Sequence, residues 1–87
     1  MVHQEQDNIK VKLSVAEAEL LRNIVSVSIE NQDAKFYIFG SRKLYSELLD
    51  ELSDKLSEIG LNKDDEPNEV GLKIESLIDK FSPFVYG

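Results

Sequence analysis

The chain has 87 residues, no cysteine and a net charge of −7 at pH 7. This length allows one domain with one core, and without cysteine there is neither a disulfide framework nor a cysteine-based zinc site. No apolar run approaches the roughly 18 residues of a membrane span, and the first residues lack the apolar region of a signal peptide, so we expect a soluble, cytoplasmic protein without membrane contact.

The net charge is confined to one region of the sequence. Residues 47–69 contain nine acids and two lysines, which sum to −7, whereas the other 64 residues contain eight acids and eight bases. The acidity is therefore a regional feature rather than a general solubilising bias.

The first residues predict a tail and a strand. Residues 1–8 are polar and aperiodic, which predicts a flexible tail containing the only histidine, His3. Ile9–Leu13 then alternates apolar and basic residues, as a short half-buried strand does. The rest of the chain, 9–87, is expected to be a single helical domain.

A first helix is predicted over 14–31. Ser14 and Glu17 have the spacing of a capping box, in which each side chain accepts a hydrogen bond from the backbone amide of the other. Polar residues then recur at steps of three and four as far as Glu30, which is typical of the solvent-facing stripe of a helix.

Residues 24–39 also allow a second interpretation. Val25, Val27 and Ile29 alternate with polar residues, as in a strand, and a hairpin over 24–39 would give an α+β fold instead. The polar stripe is longer than this alternation, so the helix is preferred.

The clearest pattern lies in 42–59, where leucines at steps of four mark one side of a predicted helix. Ser41 is placed to cap its N-terminus, and Gly60 to end it in a left-handed conformation. A third helix is predicted over 68–81, with Pro67 tolerated in its first turn.

These elements predict a mainly α protein, a small antiparallel three-helix bundle. Its helices are expected at about 14–31, 42–59 and 68–81, with a minor β element at 9–13 and 36–39. The apolar residues 84–87 are expected to pack on this core or into a partner.

The predicted strand Ile9–Leu13 precedes a helix and has Lys10 and Lys12 on one side, and a Gly-Ser-Arg-Lys turn stands at 40–43. These features resemble the ribbon-helix-helix family of dimeric DNA-binding repressors. In that family the outward side chains of the strand enter the major groove, and the turn amides hold a DNA phosphate. The resemblance implies a dimeric DNA-binding regulator as the alternative function, although the acidic helix over 42–59 would be repelled by DNA and disfavours nucleic acid as a partner.

No catalytic residue, metal site or cofactor is predicted. Carboxylates are plentiful, but on a solvated helix face nothing raises a pKa toward acid–base work. Four residues match ligand positions of a calcium loop, namely Asp64, Glu66, Asn68 and Glu75. The position that needs glycine for a sharp turn holds Glu69, so we expect no calcium site. Since no catalytic residue is predicted, we also expect no enzymatic activity.

The acidic side of the 42–59 helix, with the loop after it, is the predicted binding surface. Its carboxylates are Glu47, Asp50, Glu51, Asp54, Glu58, Asp64, Asp65 and Glu66. Like charges four residues apart cost roughly 0.2–0.5 kcal/mol per pair, and a face that only solubilises the protein would usually intersperse lysines. We expect a protein partner with a basic surface, as for an inhibitor, an antitoxin or a nucleic-acid mimic. A purely solubilising face and a homodimer stay open as alternatives.

Overall fold

The computed structural model describes residues 9–86, so the tail predicted at 1–8 and the terminal Gly87 lie outside the described residues. Within that range the strands and helices are β1 (Ile9–Leu13), α1 (Val15–Ile24), β2 (Glu30–Gln32), β3 (Lys35–Gly40), α2 (Arg42–Ile59) and α3 (Glu69–Phe81). A single 3-10 turn, Ser82–Phe84, follows α3 in the described chain.

The fold is α+β, so the prediction of a mainly α three-helix bundle is wrong. The strands form a three-stranded antiparallel sheet in the order β1-β3-β2. The alternative prediction, with a hairpin over 24–39, names the right class, although the hairpin itself runs from Glu30 to Gly40. The strand predicted at 9–13 and the helix predicted at 42–59 have the observed bounds.

The first helix ends at Ile24, so the prediction of a helix over 14–31 is wrong beyond that residue. Val25 already has an extended backbone, with φ of −136° and ψ of 166°. Val25, Val27 and Ile29 are half-buried against the core, while the serines between them are exposed. Since β-branched residues lose side-chain freedom in a helix, their burial in an extended segment outweighs the helical spacing of the polar residues.

A two-residue turn joins β2 to β3. Asp33 and Ala34 have φ values of 54° and 65°, and a type I′ hairpin turn requires positive φ at both central residues. The turn sets the register in which Glu30 lies opposite Tyr37. Ala34 adopts this conformation although it carries a Cβ atom, which leaves the turn strained.

The two faces of the sheet differ in burial. The inner face joins the same core as the helices through Val11, Leu13 and Ile38, each at most 4% exposed. The outer face carries exposed or half-buried side chains, which include Lys10, Lys12, Lys35, Tyr37 and Phe39. Because side chains alternate along a strand, this outer face is a separate surface of the molecule.

Helices α2 and α3 meet through two glycines. A Cβ atom on Gly71 would lie 2.0 Å from the carbonyl oxygen of Gly60, so the two backbones are in direct contact there. Gly60 has φ of −96°, which is not the left-handed conformation predicted for it. Glycine is needed here because α3 approaches closely, not because of the backbone angles.

Helix α3 has Asn68 as its N-cap and begins one residue later than predicted. The Oδ1 atom of Asn68 accepts a hydrogen bond from the Gly71 amide at 2.8 Å, and its Nδ2 atom donates to the Ile59 carbonyl at 2.9 Å. Pro67 lies ahead of this cap rather than in the first helical turn. Asn68 therefore caps α3 and binds it to the end of α2.

Tyr45 connects α2 to the sheet. Its hydroxyl group lies 2.5 Å from the carbonyl oxygen of Ile9 and 3.0 Å from that of Ile38, and its single proton is shared between these acceptors on β1 and β3. The side chain is fully buried and its ring centroid lies 5.7 Å from that of Phe81. Burial raises the pKa of Tyr45 to about 12, because a phenolate would lose its hydration there.

The C-terminal residues pack on the core, as predicted, as far as Val85. Val85 is 8% exposed, and its carbonyl oxygen accepts a hydrogen bond from Nε of Arg42 at 3.0 Å. The ring centroid of Phe84 lies 5.7 Å from that of Tyr45. Tyr86 is 79% exposed, so it does not pack on the core, and the other predicted option, packing into a partner, stays a prediction for that residue.

Candidate functional site

Helix α2 orients the predicted binding surface. Its buried residues are Tyr45, Leu48, Leu49 and Leu52. Because a helix turns about 100° per residue, burial of this stripe directs the acids of α2 away from the core. The five acids predicted for the site on this helix, Glu47, Asp50, Glu51, Asp54 and Glu58, are all exposed.

The other three predicted site residues lie in the loop between α2 and α3. Asp64, Asp65 and Glu66 are exposed. Backbone hydrogen bonds close this loop, from the Asn62 amide to the Glu66 carbonyl at 2.7 Å and from the Asp65 amide to the Asn62 carbonyl at 3.0 Å. The loop carboxylates follow the C-terminal end of α2, where the helix dipole is also negative. We call the eight exposed carboxylates together the acidic surface.

Few cations balance the acidic surface. Among residues 9–86, the acidic surface has one ion pair, in which Nζ of Lys55 lies 3.2 Å from Oε1 of Glu58. The other seven carboxylates have no cationic side chain within 4.0 Å in the described part of the chain. Their negative potential is therefore largely available to a partner.

A groove of about 200 Å³ opens beside the acidic surface, between α2 and the segment that precedes β2. It is lined by Ser26, Val27, Ser28, Phe39, Leu44, Glu47, Leu48 and Glu51. Glu47 and Glu51 thus stand beside apolar side chains, and we call this feature the acidic groove. A helix over 14–31 leaves no place for this groove, so the groove was not predicted, although the alternation over 25–29 was the signal for it.

A second cleft, of about 150 Å³, lies between α1 and α3, and Glu17 lines it. The Oε1 atom of Glu17 accepts from Nζ of Lys80 and from the Ser14 amide, both at 2.8 Å. Partial burial pushes the pKa of Glu17 upward, but these hydrogen bonds and the charge of Lys80 outweigh burial and hold it below its usual value. The predicted capping box is confirmed. The Glu17 carboxylate is therefore occupied by contacts that stabilise the fold.

The residues behind the ribbon-helix-helix resemblance have other partners in the structure. Strand β1 is paired with β3 of the same chain. Ser41 caps α2, accepting from the helix backbone at 3.2 Å, and the guanidinium group of Arg42 donates to the Val85 carbonyl. Lys10 and Lys12 are exposed, as that resemblance requires of them. The side chains of Ser41 and Arg42 are thus engaged in holding the fold, whereas Lys10 and Lys12 form no ion pair within residues 9–86.

Three further observations bear on function. Across residues 9–86, no group of three or more histidine or acidic side chains is arranged to hold a metal ion. Over the same range, every helix is too short or too polar to cross a membrane. Comparison with protein-family models, with curated proteins and with solved structures gives no match to this chain.

Proposed function

We propose that the protein is a non-enzymatic interaction module, acting in the cytoplasm, whose acidic surface binds a basic surface of a partner protein. The observation that carries this proposal is the acidic groove, where Glu47 and Glu51 stand beside Leu44 and Leu48. Carboxylates next to an apolar lining match the two parts of a lysine or arginine side chain, which has an apolar stem and a charged head.

A basic side chain from the partner would use both parts of the groove. Its methylene stem would pack on the apolar lining, and its charged head would pair with Glu47 or Glu51. An arginine could form two parallel hydrogen bonds with one carboxylate. Such a contact is partly withdrawn from water, so it contributes more than an exposed ion pair, which is worth roughly 0–1 kcal/mol.

The rest of the acidic surface would attract the partner over a larger area. Asp50, Asp54 and Glu58 follow one another at steps of four residues, a rise of about 6 Å each along the helix axis. Evenly spaced negative charges on a rigid helix resemble a row of nucleic-acid phosphates, which supports an inhibitor, antitoxin or nucleic-acid mimic. Charge attraction of this kind speeds encounter and weakens as salt rises.

Charge reversal tests the proposal. The variant Asp50→Lys/Asp54→Lys changes the acidic surface, and Glu19→Lys/Asp79→Lys makes the same change in net charge at exposed positions on α1 and α3. Each immobilised protein would be exposed to cell lysate at low and high salt. Bound proteins would be identified by mass spectrometry, purified, and titrated against wild type and variants.

The expected result is a basic protein that wild type and the control retain at low salt and that Asp50→Lys/Asp54→Lys does not. With that partner purified, Glu47→Gln/Glu51→Gln should weaken binding about ten-fold or more, since it removes the charge-assisted contacts of the groove. The proposal fails if binding is insensitive to salt, or if the acidic-surface variant and its control behave alike.

A further inference from the structure

The outer face of the sheet differs in chemistry from the acidic surface. Tyr37 and Phe39 are neighbours on this face of β3, with ring centroids 6.1 Å apart and ring planes at 45° to each other. Both residues are half-buried, so part of each side chain is open to solvent. Aromatic side chains carry a large apolar area, and leaving two of them accessible on one face points to a binding surface.

Lysines flank this aromatic pair. In the register of β1 and β3, Lys10 lies opposite Phe39 and Lys12 lies opposite Tyr37. The Nζ atom of Lys10 is 4.3 Å from the ring centroid of Tyr37 and 5.8 Å from that of Phe39. Lys35 stands two residues before Tyr37, hence on the same face, and all three lysines are exposed.

Positive charge prevails on this face. Among the described strands its one acid is Glu30, which lies opposite Tyr37. The strands thus contribute three lysines and one carboxylate to this face. The eight carboxylates of the acidic surface belong to α2 and its loop, not to the sheet. Phe39 marks the border between the two surfaces, since it also lines the acidic groove.

We propose that this face, formed by Lys10, Lys12, Lys35, Tyr37 and Phe39, binds a single-stranded nucleic acid. Bases would stack on the two rings, and the lysines would contact the phosphates beside them. These are the two components of single-strand binding without sequence preference, aromatic surfaces for the bases and cations for the backbone. Aromatic rings also contribute to protein interfaces, but flat bases can stack on both rings while the phosphates beside them reach the lysines, and this combination favours the nucleic acid.

Lys10 has to leave the ring of Tyr37 before a base can stack there. A cation over an exposed aromatic ring contributes about two- to five-fold to an equilibrium. A base stacked on an aromatic side chain contributes from about five-fold to more than a hundred-fold in affinity. Stacking therefore prevails, and the displaced ammonium group becomes a donor for the adjoining phosphate.

The net charge of −7 argues against duplex DNA but not against this mode of binding. The net charge belongs to residues 47–69, from Glu47 in α2 to Glu69 at the start of α3, and the stiff, wide duplex would bring many phosphates close to it. The faces of paired bases in a duplex are also stacked and unavailable. A flexible single strand can follow the sheet alone and expose its bases to the rings.

Fluorescence anisotropy of a short labelled oligouridine, titrated with the full chain at several salt concentrations, tests this proposal. Three lysine–phosphate contacts predict that log affinity falls against log salt with a slope of about −2. Tyr37→Leu/Phe39→Leu keeps apolar side chains at both positions but removes stacking, and should weaken binding about ten-fold or more. Circular dichroism and urea unfolding would show that the variant is folded.

A matched pair of charge variants separates the lysines of this face from lysines in general. Lys10→Glu/Lys12→Glu should abolish measurable binding, whereas Lys63→Glu/Lys73→Glu, at exposed positions outside the sheet, should stay within about three-fold of wild type. The proposal is overturned if wild type does not bind at the lowest salt, if a duplex binds equally well, or if both pairs have equal effects. The other contrary result is salt-dependent self-association in sedimentation that Lys10→Glu/Lys12→Glu abolishes, without any binding of oligouridine. It would show that this face binds an acidic protein surface instead.

Discussion

Helix α2 is held to its two neighbours in opposite ways. Toward α3 the two backbones are in direct contact at Gly60 and Gly71, so there is no room between them for even one side-chain atom. Toward the sheet the contact depends on a long side chain, Tyr45, whose hydroxyl group reaches carbonyl oxygens of β1 and β3. The first contact is therefore sensitive to an added atom, and the second to a removed one.

Both contacts also matter for the proposed function. The acidic surface and the acidic groove face outward only while the buried stripe of α2 stays on the core, since the helix turns about 100° per residue. Any change that rotates α2 would move Glu47 and Glu51 relative to Phe39, on β3. Testing the two contacts thus tests what positions the candidate site.

The largest expected effect comes from Gly71→Ala. The added methyl group would lie 2.0 Å from the carbonyl oxygen of Gly60 and 2.9 Å from its carbonyl carbon. Backbone atoms cannot turn aside as the end of a flexible side chain can, so the helices would have to separate. We expect the free energy of unfolding, measured by urea denaturation, to fall by about 3 kcal/mol or more.

Leu72→Ala is the matched control for that variant. Leu72 is adjacent on α3 and 57% exposed, so its truncation should change the free energy of unfolding by less than about 0.5 kcal/mol. A Gly71→Ala protein as stable as the control would show that α2 and α3 are not in backbone contact.

Tyr45→Phe tests the contact with the sheet and is expected to have a smaller effect. Removing the hydroxyl group leaves the carbonyl groups of Ile9 and Ile38 without their shared side-chain donor, which should cost about 1 to 2 kcal/mol in the free energy of unfolding. Tyr86→Phe removes the same atom from a residue that is 79% exposed and should be nearly neutral. Equal effects of the two variants would contradict the bridging role of Tyr45.

The same hydroxyl group predicts a pH dependence with a definite sign. The pKa of Tyr45 is about 12 in the folded protein against 10.0 for an ordinary tyrosine, so the fold favours the neutral phenol. Its contribution to stability is fully present below pH 10 and is lost as the pH rises from about 10 to 12. Wild type should lose more stability than Tyr45→Phe in this window, and parallel losses would be the contrary result.

Helix α2 could be predicted from the sequence because independent patterns agree there. Its leucines recur at steps of four, its acids fall on the other side, and Ser41 stands where an N-cap is needed. Over 25–30 the patterns disagree, since the polar residues have helical spacing while Val25 and Val27 alternate as in a strand. Burial against the core decides between them, and burial is a property of the folded chain.

The candidate binding features show the same limit. Exposure of the acidic surface follows from the helical pattern of α2 and could be predicted. The acidic groove brings Val27 next to Glu47, and the outer sheet face brings Lys10 onto the ring of Tyr37. These pairs are distant in the sequence, and only the pairing of β3 with both β1 and β2 brings them together.

The smallest expected effect lies in the turn between β2 and β3, where Ala34 has φ of 65°. Left-handed conformation costs a residue with a Cβ atom roughly 1–2 kcal/mol, while glycine loses roughly 0.5–1 kcal/mol more in chain entropy. Ala34→Gly should therefore raise the free energy of unfolding by about 0.5 kcal/mol, whereas Ala16→Gly, at an exposed position on α1, should lower it by a similar amount.

Urea denaturation of the two variants side by side measures that difference, and destabilisation by both would show that the turn is not strained. Together, Gly71→Ala and Ala34→Gly separate two reasons why glycine is favoured over alanine at a position of this fold. At Gly71 the methyl group is excluded by the neighbouring backbone, whatever the φ angle. At Ala34 the residue is exposed, so the backbone angle alone makes the methyl group unfavourable. The first exclusion is a matter of packing between helices and should be several times larger than the second, which is local to the hairpin.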